Sequence, residues 1–514
     1  MTKTLHMPQT LGELKRSGYR VLSVKDEIRK NLMKKLADRE VIFPGIFGYE
    51  DTVIPQIINA LLARHDIIFL GLRGQAKTKI ARMLVNLLDD YVPIVKGSEI
   101  NDNPFMPVSK FSIDTIREKG DDTEIQWIGR EERFAEKLAT PDVTIADLIG
   151  DIDPIKAAAR RLHYSHEEAI HFGIIPRTNR GIFVINELPD LQPRIQVGLL
   201  NIMQERDVQI RGFNIRFPLD IFLVFTANPE DYTNRGNIIT PLKDRIDSQI
   251  ITHYPRSIED GIKITESESW TGRNSGRDVI IPYYFREIIE TIAHLARESD
   301  FVEQKSGVSA RLPISATENL ISNAERRAII NNDRIIYPRI TDLNALLPAM
   351  TGKLELVFEG EKEGAVKVSK ALIGNSIKQV FKKYFPDPLR KKRSKADKSA
   401  GKNDDVYSPV IKWFEEGNII ELNDELPFDD YFNTLRRVDG LEDVVKRYVN
   451  FESDYELASM MEFVLEGLVN NSRIAKDEFS DKVAYKDMVG AMLFGDRSRP
   501  GDTSYDYEND EWNL

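Results

Sequence analysis

The stretch Gly71-Leu-Arg-Gly-Gln-Ala-Lys-Thr78 follows the apolar run Ile67-Ile-Phe-Leu70 and leads into an amphipathic segment opening near Lys79. A strand, a glycine-containing loop and a helix in that order are what a phosphate-binding loop requires. Backbone N–H groups of the loop and of the helix start converge on an anion there. The loop therefore nominates Gly71, Arg73, Gly74, Gln75, Ala76, Lys77 and Thr78 as nucleotide-binding residues. Lys77 would place a point charge on the β- and γ-phosphates of ATP, and the Thr78 hydroxyl would reach Mg²⁺. Ala76 stands where glycine is usual, so the loop must tolerate one Cβ at that position.

Two further apolar runs end in polar residues. Gly181-Ile-Phe-Val-Ile-Asn-Glu187 reads as a strand buried on both faces that delivers Asn186 and Glu187 at its C-terminal end. This is the Walker B arrangement, in which an Asp-Glu pair is usual. Asn186 can offer Mg²⁺, through water, only a neutral carbonyl oxygen, while Glu187 can polarise an attacking water. Phe225-Thr-Ala-Asn-Pro-Glu230 ends a third such run and sets Asn228 in the crevice at the strand ends, where ligands bind in open α/β sheets. Together the three runs predict an α/β P-loop core with a parallel sheet covered by helices.

Two arginines follow. Arg245, in Thr240-Pro-Leu-Lys-Asp-Arg245-Ile-Asp247, reads in isolation as a surface residue paired with Asp244 or Asp247. After the three strands it takes the place of an arginine offered to a neighbouring subunit's γ-phosphate, an effect of about 10³ to 10⁵ where it operates. Arg311, in Ser309-Ala-Arg311 at a helix start, is a candidate in-chain nucleotide sensor. His163, His166 and His171 fall in or beside an inserted segment and read as solvated positions rather than metal ligands.

The chain has 514 residues, with 71 basic and 82 acidic side chains giving a net charge of -11. That balance argues against a grip on nucleic acid by the whole protein. No cysteine is present, which excludes disulfides and thiolate-bound metals. Neither a signal-peptide core nor an apolar run of about 20 residues is found, so a cytoplasmic location without membrane insertion is expected. The divisions expected are a helical segment over 1–40, with Ile28, Leu32 and Leu36 on one face, and an α/β core over 41–265. A helical lid over 266–360, a basic linker over 361–405, a helical C-terminal domain over 406–500 and an acidic flexible tail over 501–514 would follow.

In this order the elements resemble the AAA+ superfamily and, within it, the magnesium chelatase and MoxR-like clade. The resemblance to the chelatase I subunit spans about residues 45–350. It is carried by Val95-Lys-Gly-Ser-Glu-Ile-Asn-Asp-Asn-Pro104, Asp151 to Lys156, Gly173-Ile-Ile-Pro-Arg-Thr-Asn-Arg-Gly181 and, on the MoxR side, Leu199-Leu-Asn-Ile-Met-Gln-Glu205. It implies a helix-2 insert over about Ala146 to Ile170 and a hairpin over Val208 to Phe217, turning at Gly212-Phe-Asn214. It also implies that Gly48-Tyr49, in Gly48-Tyr-Glu-Asp51, lies near the adenine and that Arg194 lies near a subunit interface.

The resemblance implies a ring-forming ATPase, a hexamer of identical subunits, that uses ATP and Mg²⁺ to remodel or mature a protein. A MoxR-like protein works with a von Willebrand A-type partner, which must be a separate chain because Asp-x-Ser-x-Ser is missing here. The alternatives are a chelatase-type subunit driving metal insertion and a nucleotide-binding scaffold with slow hydrolysis, which Asn186 favours. A transcriptional activator ranks last, since Ala146-Asp-Leu-Ile-Gly-Asp-Ile-Asp153 lacks the loop that class carries.

Overall fold

The computed structural model describes residues 7–153, 155, 169–209, 216–229, 236–273, 276–389, 406–479 and 482–488. His163, His166, part of Asp151 to Lys156, the turn at Gly212-Phe-Asn214, the basic stretch after Leu389 and the tail over 501–514 lie outside the described residues. The chain forms two compact units, one of residues 1–267 with 303–311, the other of residues 268–302 with 312–514.

The first unit is built on five strands: β1 (Ile67–Leu70), β2 (Phe134–Leu138), β3 (Gly181–Asn186), β4 (Ile221–Ala227) and β5 (Ser248–Ile251). They lie in the order β5-β1-β4-β3-β2, and every pairing is parallel. Successive side chains of a strand point to opposite faces, so an unbroken apolar strand feeds two cores. Ile67, Phe69, Ile182, Val184, Phe222 and Val224 pack into one. Ile68, Leu70, Phe183, Ile185, Leu223 and Phe225 pack into the other.

Two N-terminal helices, Leu11–Arg16 and Val24–Ala37, precede the sheet. Ser23 caps the second through the N–H of Asp26, and Ile28 and Leu32 enter the first of those cores. Leu36, expected on the same face, is exposed instead. It stands one residue from the helix end, past the edge of the covered surface. Val24–Ala37 also carries Glu27, which makes a bidentate pair with Arg133 at 2.7 Å on both arms, and both side chains are buried.

The long span between Thr78 and Gly181 holds an antiparallel pair, Tyr91–Val95 with Ile125–Gly129, as well as β2. Within the expected insert, Gly150–Ile152 pairs antiparallel with Ile170–Phe172. Asp207–Gln209 pairs with Arg216–Pro218 where the hairpin was expected, with Val208 opposite Phe217. The separated stretches that carried the family resemblance meet each other. Asn179 Nδ2 donates to the Ile100 carbonyl at 3.0 Å, and Asn101 Nδ2 to that of Arg177 at 2.9 Å.

The second unit is mainly helical. Helix Ala365–Tyr384 packs against both Tyr283–Glu298 and Asp454–Asn470, so the lid expected over 266–360 and the domain expected over 406–500 share one packed body. Residues 303–311 instead belong to the first unit. The C-terminal part, expected to be mainly helical, also contains a three-stranded antiparallel sheet, Ile420–Asn423, Lys482–Lys486 and Ala475–Glu478 in that order. Glu462, buried on helix Asp454–Asn470, accepts hydrogen bonds from the N–H groups of Ile340 and Thr341 and from the Tyr431 hydroxyl, and burial pushes its carboxyl up to about 7. Among the described residues, no helix is long and apolar enough to cross a membrane.

The Glu27–Arg133 pair gives a test of the first unit. Glu27→Ala leaves the Arg133 guanidinium buried and uncompensated, a loss of ~3–5 kcal/mol. Urea unfolding should show it, and replacing both residues with methionine should recover most of the loss.

Candidate functional site

In a parallel sheet all strands end at one edge, so the loops after β1, β3 and β4 come together. Leu70 lies beside Ala227, and the Gly71 N–H donates to the Ala227 carbonyl at 3.2 Å, which starts Asn228 next to the loop. The Glu187 N–H donates to Thr226 Oγ1 at 3.1 Å, tying the end of β3 to that of β4.

The loop is held tightly. A Cβ on Gly71 would stand 1.9 Å from Thr252 Oγ1 and 2.2 Å from Gln75 Oε1. Gly74 has φ +75°, and a Cβ there would meet Ser309 Oγ at 2.2 Å. Ala76 adopts φ 57° and ψ 11° as it caps helix Lys77–Met83. Its Cβ is thus accommodated in the left-handed region, at ~1–2 kcal/mol of backbone strain. The Lys77 ammonium, nearly buried, donates to the carbonyls of Gly71 and of Leu72.

Several nominated residues brace the loop as well. The Gln75 side chain is buried and accepts from the Thr252 hydroxyl at 2.7 Å. Arg73 Nε donates to the Ser306 carbonyl at 3.1 Å. The Tyr49 hydroxyl donates to the carbonyls of Gln75 at 3.0 Å and His253 at 2.7 Å, and burial pushes its pKa up to about 12. Gly48 precedes it at φ +76°. Tyr49 therefore links the loop to the chain beyond β5.

At the end of β3, Asn186 uses both ends of its amide. Its Oδ1 accepts from Thr226 Oγ1 at 3.1 Å and lies 3.5 Å from Thr78 Oγ1. Its Nδ2 donates to Glu136 Oε1, on β2, at 2.6 Å. Glu136 in turn pairs with Arg82 at 2.6 and 2.9 Å, a contact that holds the guanidinium above its ordinary pKa. Glu187 sits at φ 53° and ψ 51°, a left-handed turn that breaks the strand immediately after Asn186. Hydroxyl, amide and carboxylate oxygens grouped in this way are the hard donors that Mg²⁺ takes, and they fit that ion.

Arg245 is not paired with Asp244 or Asp247. Its guanidinium is held by Gln204 Oε1 at 2.8 and 3.1 Å and by the Pro241 carbonyl at 2.8 Å, all neutral acceptors. Arg194 is exposed in the first turn of helix Pro193–Glu205. Arg311 opens helix Arg311–Ile330 with its side chain exposed, directly after the Ser309-Ala310 backbone that lies against Gly74. Thr226, Thr252 and Glu136 were not singled out in the sequence. Each acts through partners distant along the chain, and no local spacing marks them.

Strand order β5-β1-β4-β3-β2, with a glycine-containing loop and a helix after β1 and a polar pair after β3, makes a parallel-sheet α/β core like that of AAA+ ATPases. In sequence the chain is similar to magnesium chelatase subunits. The magnesium-chelatase 38 kDa subunit of Cereibacter sphaeroides is 27% identical over 226 residues, 43% of this chain and 61% of that protein. Its counterpart in Rhodobacter capsulatus is 26% identical over 231 residues, 43% of this chain and 59% of that protein. The chain thus spans about three-fifths of the length of the curated relatives it matches. No protein-family model matches. Among solved structures, the BchI–BchD complex of magnesium chelatase covers 62% of this chain and 98% of its own, at 18% identity and a TM-score of 0.33. A putative ATPase from Cytophaga hutchinsonii covers 70% and 97%, at 17% identity and a TM-score of 0.27.

The angles at Ala76 lead to a graded expectation. Ala76→Gly removes a strain of ~1–2 kcal/mol while adding ~0.4–1 kcal/mol of unfolded-chain entropy, for a net gain of roughly 0.5 kcal/mol. Ala76→Val, β-branched, should lose stability. Thermal melts of the three proteins would show the order Gly, Ala, Val, and a valine protein as stable as wild type would contradict the left-handed assignment.

Proposed function

We propose that this chain is a MgATP-hydrolysing, ring-forming motor that remodels or matures a protein partner, in concert with a separate von Willebrand A-type protein. The observation that carries the ATPase reading is the meeting of three strand ends, which groups Lys77, Thr78, Asn186, Glu187 and Asn228 at one edge of the sheet.

In this reading the loop N–H groups and Lys77 bind the phosphates, and Lys77 exchanges its contacts with the loop carbonyls for phosphate oxygens. Thr78 and Asn186 would hold Mg²⁺, which when bound neutralises charge on the phosphates. Glu187 orients and polarises the attacking water, and Asn228 fixes the water or the γ-phosphate from the neighbouring strand. Arg245, with no carboxylate to neutralise it, reaches the nucleotide of the next subunit in a hexameric ring. Arg311 reads the nucleotide of its own subunit through the backbone that touches Gly74. Gly48 and Tyr49 stand on the adenine side of the loop. A cytoplasmic setting suits a chain without cysteine. The named chelatase relatives favour a second reading, a motor subunit driving insertion of a metal.

Two measurements test the engine. Lys77→Ala should abolish binding of a fluorescent ATP analogue, because no other loop residue supplies its charge; equal affinity in the two proteins would remove the nucleotide-binding assignment. Arg245→Ala should bind nucleotide and not turn it over, as should Glu187→Gln. Mixing the two under conditions of subunit exchange should restore part of the ATPase rate, and a mixture that stays inactive at all ratios counts against an arginine acting in trans.

A further inference from the structure

We infer that Glu136 supplies, from β2, the negative charge at the Mg²⁺ position that Asn186 cannot supply from β3. The inference rests on the MgATP reading and assigns a positioning role within it.

Glu136 lies two residues before Leu138, the register partner of Asn186, so its side chain falls on the face of the sheet that Leu138 shares. Its carboxylate reaches the end of β3 and accepts from Asn186 Nδ2 at 2.6 Å. That bond fixes which way the amide faces: with the nitrogen on Glu136, the carbonyl oxygen is turned toward Thr226 and Thr78. Only a side chain with a donor as well as an acceptor can satisfy both sides. An aspartate at position 186 would set two carboxylates in contact there, and like charges at that separation do not both ionise readily. Asparagine at 186 and glutamate at 136 thus form one matched arrangement, carrying a single carboxylate on the neighbouring strand.

Glu136 also pairs with Arg82, whose side chain is 63% exposed. An ion pair to so exposed a partner contributes little by itself, and it does not explain the second bond to buried Asn186. Arg82 does offset part of the Glu136 charge, which gives the inference a second variant of opposite sign.

The test measures binding of a fluorescent ATP analogue as a function of Mg²⁺ concentration, with affinity in EDTA as the control for an intact loop. Glu136→Gln should raise the Mg²⁺ concentration at half-saturation by about tenfold, as removal of an outer-shell partner commonly does, and leave the EDTA affinity unchanged. Adding Asn186→Asp to that variant should bring the midpoint back toward wild type. Asn186→Asp alone should improve it less. Arg82→Gln should lower the midpoint. The inference is overturned if Glu136→Gln stays within twofold of wild type, or if the double variant binds in EDTA and is not restored. Should Glu136→Gln fail to bind in EDTA, Arg82→Gln decides, and an unchanged midpoint there sinks the idea. Failure of the nucleotide reading itself looks different: wild type and Lys77→Ala would then bind the analogue alike.

Discussion

The amide of Asn186 joins β2, β3, β4 and helix Lys77–Met83, because it accepts on one side and donates on the other. Thr226 and Thr78 face its oxygen, and Glu136 takes its nitrogen. Thr226 passes the connection on by accepting the N–H of Glu187. Asn186 therefore ties the ends of β2, β3 and β4 to the start of helix Lys77–Met83. A carboxylate could not make the same set of contacts, since it has no proton to give at neutral pH.

Around that centre the loop is fixed by exclusion of volume. Thr252 and Gln75 fill the space beside Gly71, and Ser309 the space beside Gly74. Tyr49 clamps the loop to the chain after β5 with a single hydroxyl. These contacts hold the loop backbone in one conformation.

The central strands were legible in the sequence because β1, β3 and β4 are covered on both faces and so read as unbroken apolar runs. The outer strands were not. Phe134-Ala-Glu-Lys-Leu138 and Ser248-Gln-Ile-Ile251 lie at the two edges of the sheet, partly exposed, and their polar residues hide the strand signal. The strand, loop and helix from Ile67 to Met83 were legible since their spacing is local, as was the end of a strand at Asn186. Glu136, Thr226 and Thr252 act across distances of 40 to 177 residues along the chain, which no local pattern encodes. In the second unit the helical periodicity was visible, while short strands such as Ile420-Glu-Leu-Asn423 gave too few alternations to stand out.

The division of the chain has a topological side. It leaves the first unit after Ser267, returns for residues 303–311, and leaves again at Leu312. The two units are consequently joined by three peptide connections, where most two-domain chains have one. A single proteolytic nick at any of them would leave the units covalently attached. The returning piece is anchored at both ends in the other unit, and near its end it carries Ser309, the residue that occupies the space beside Gly74.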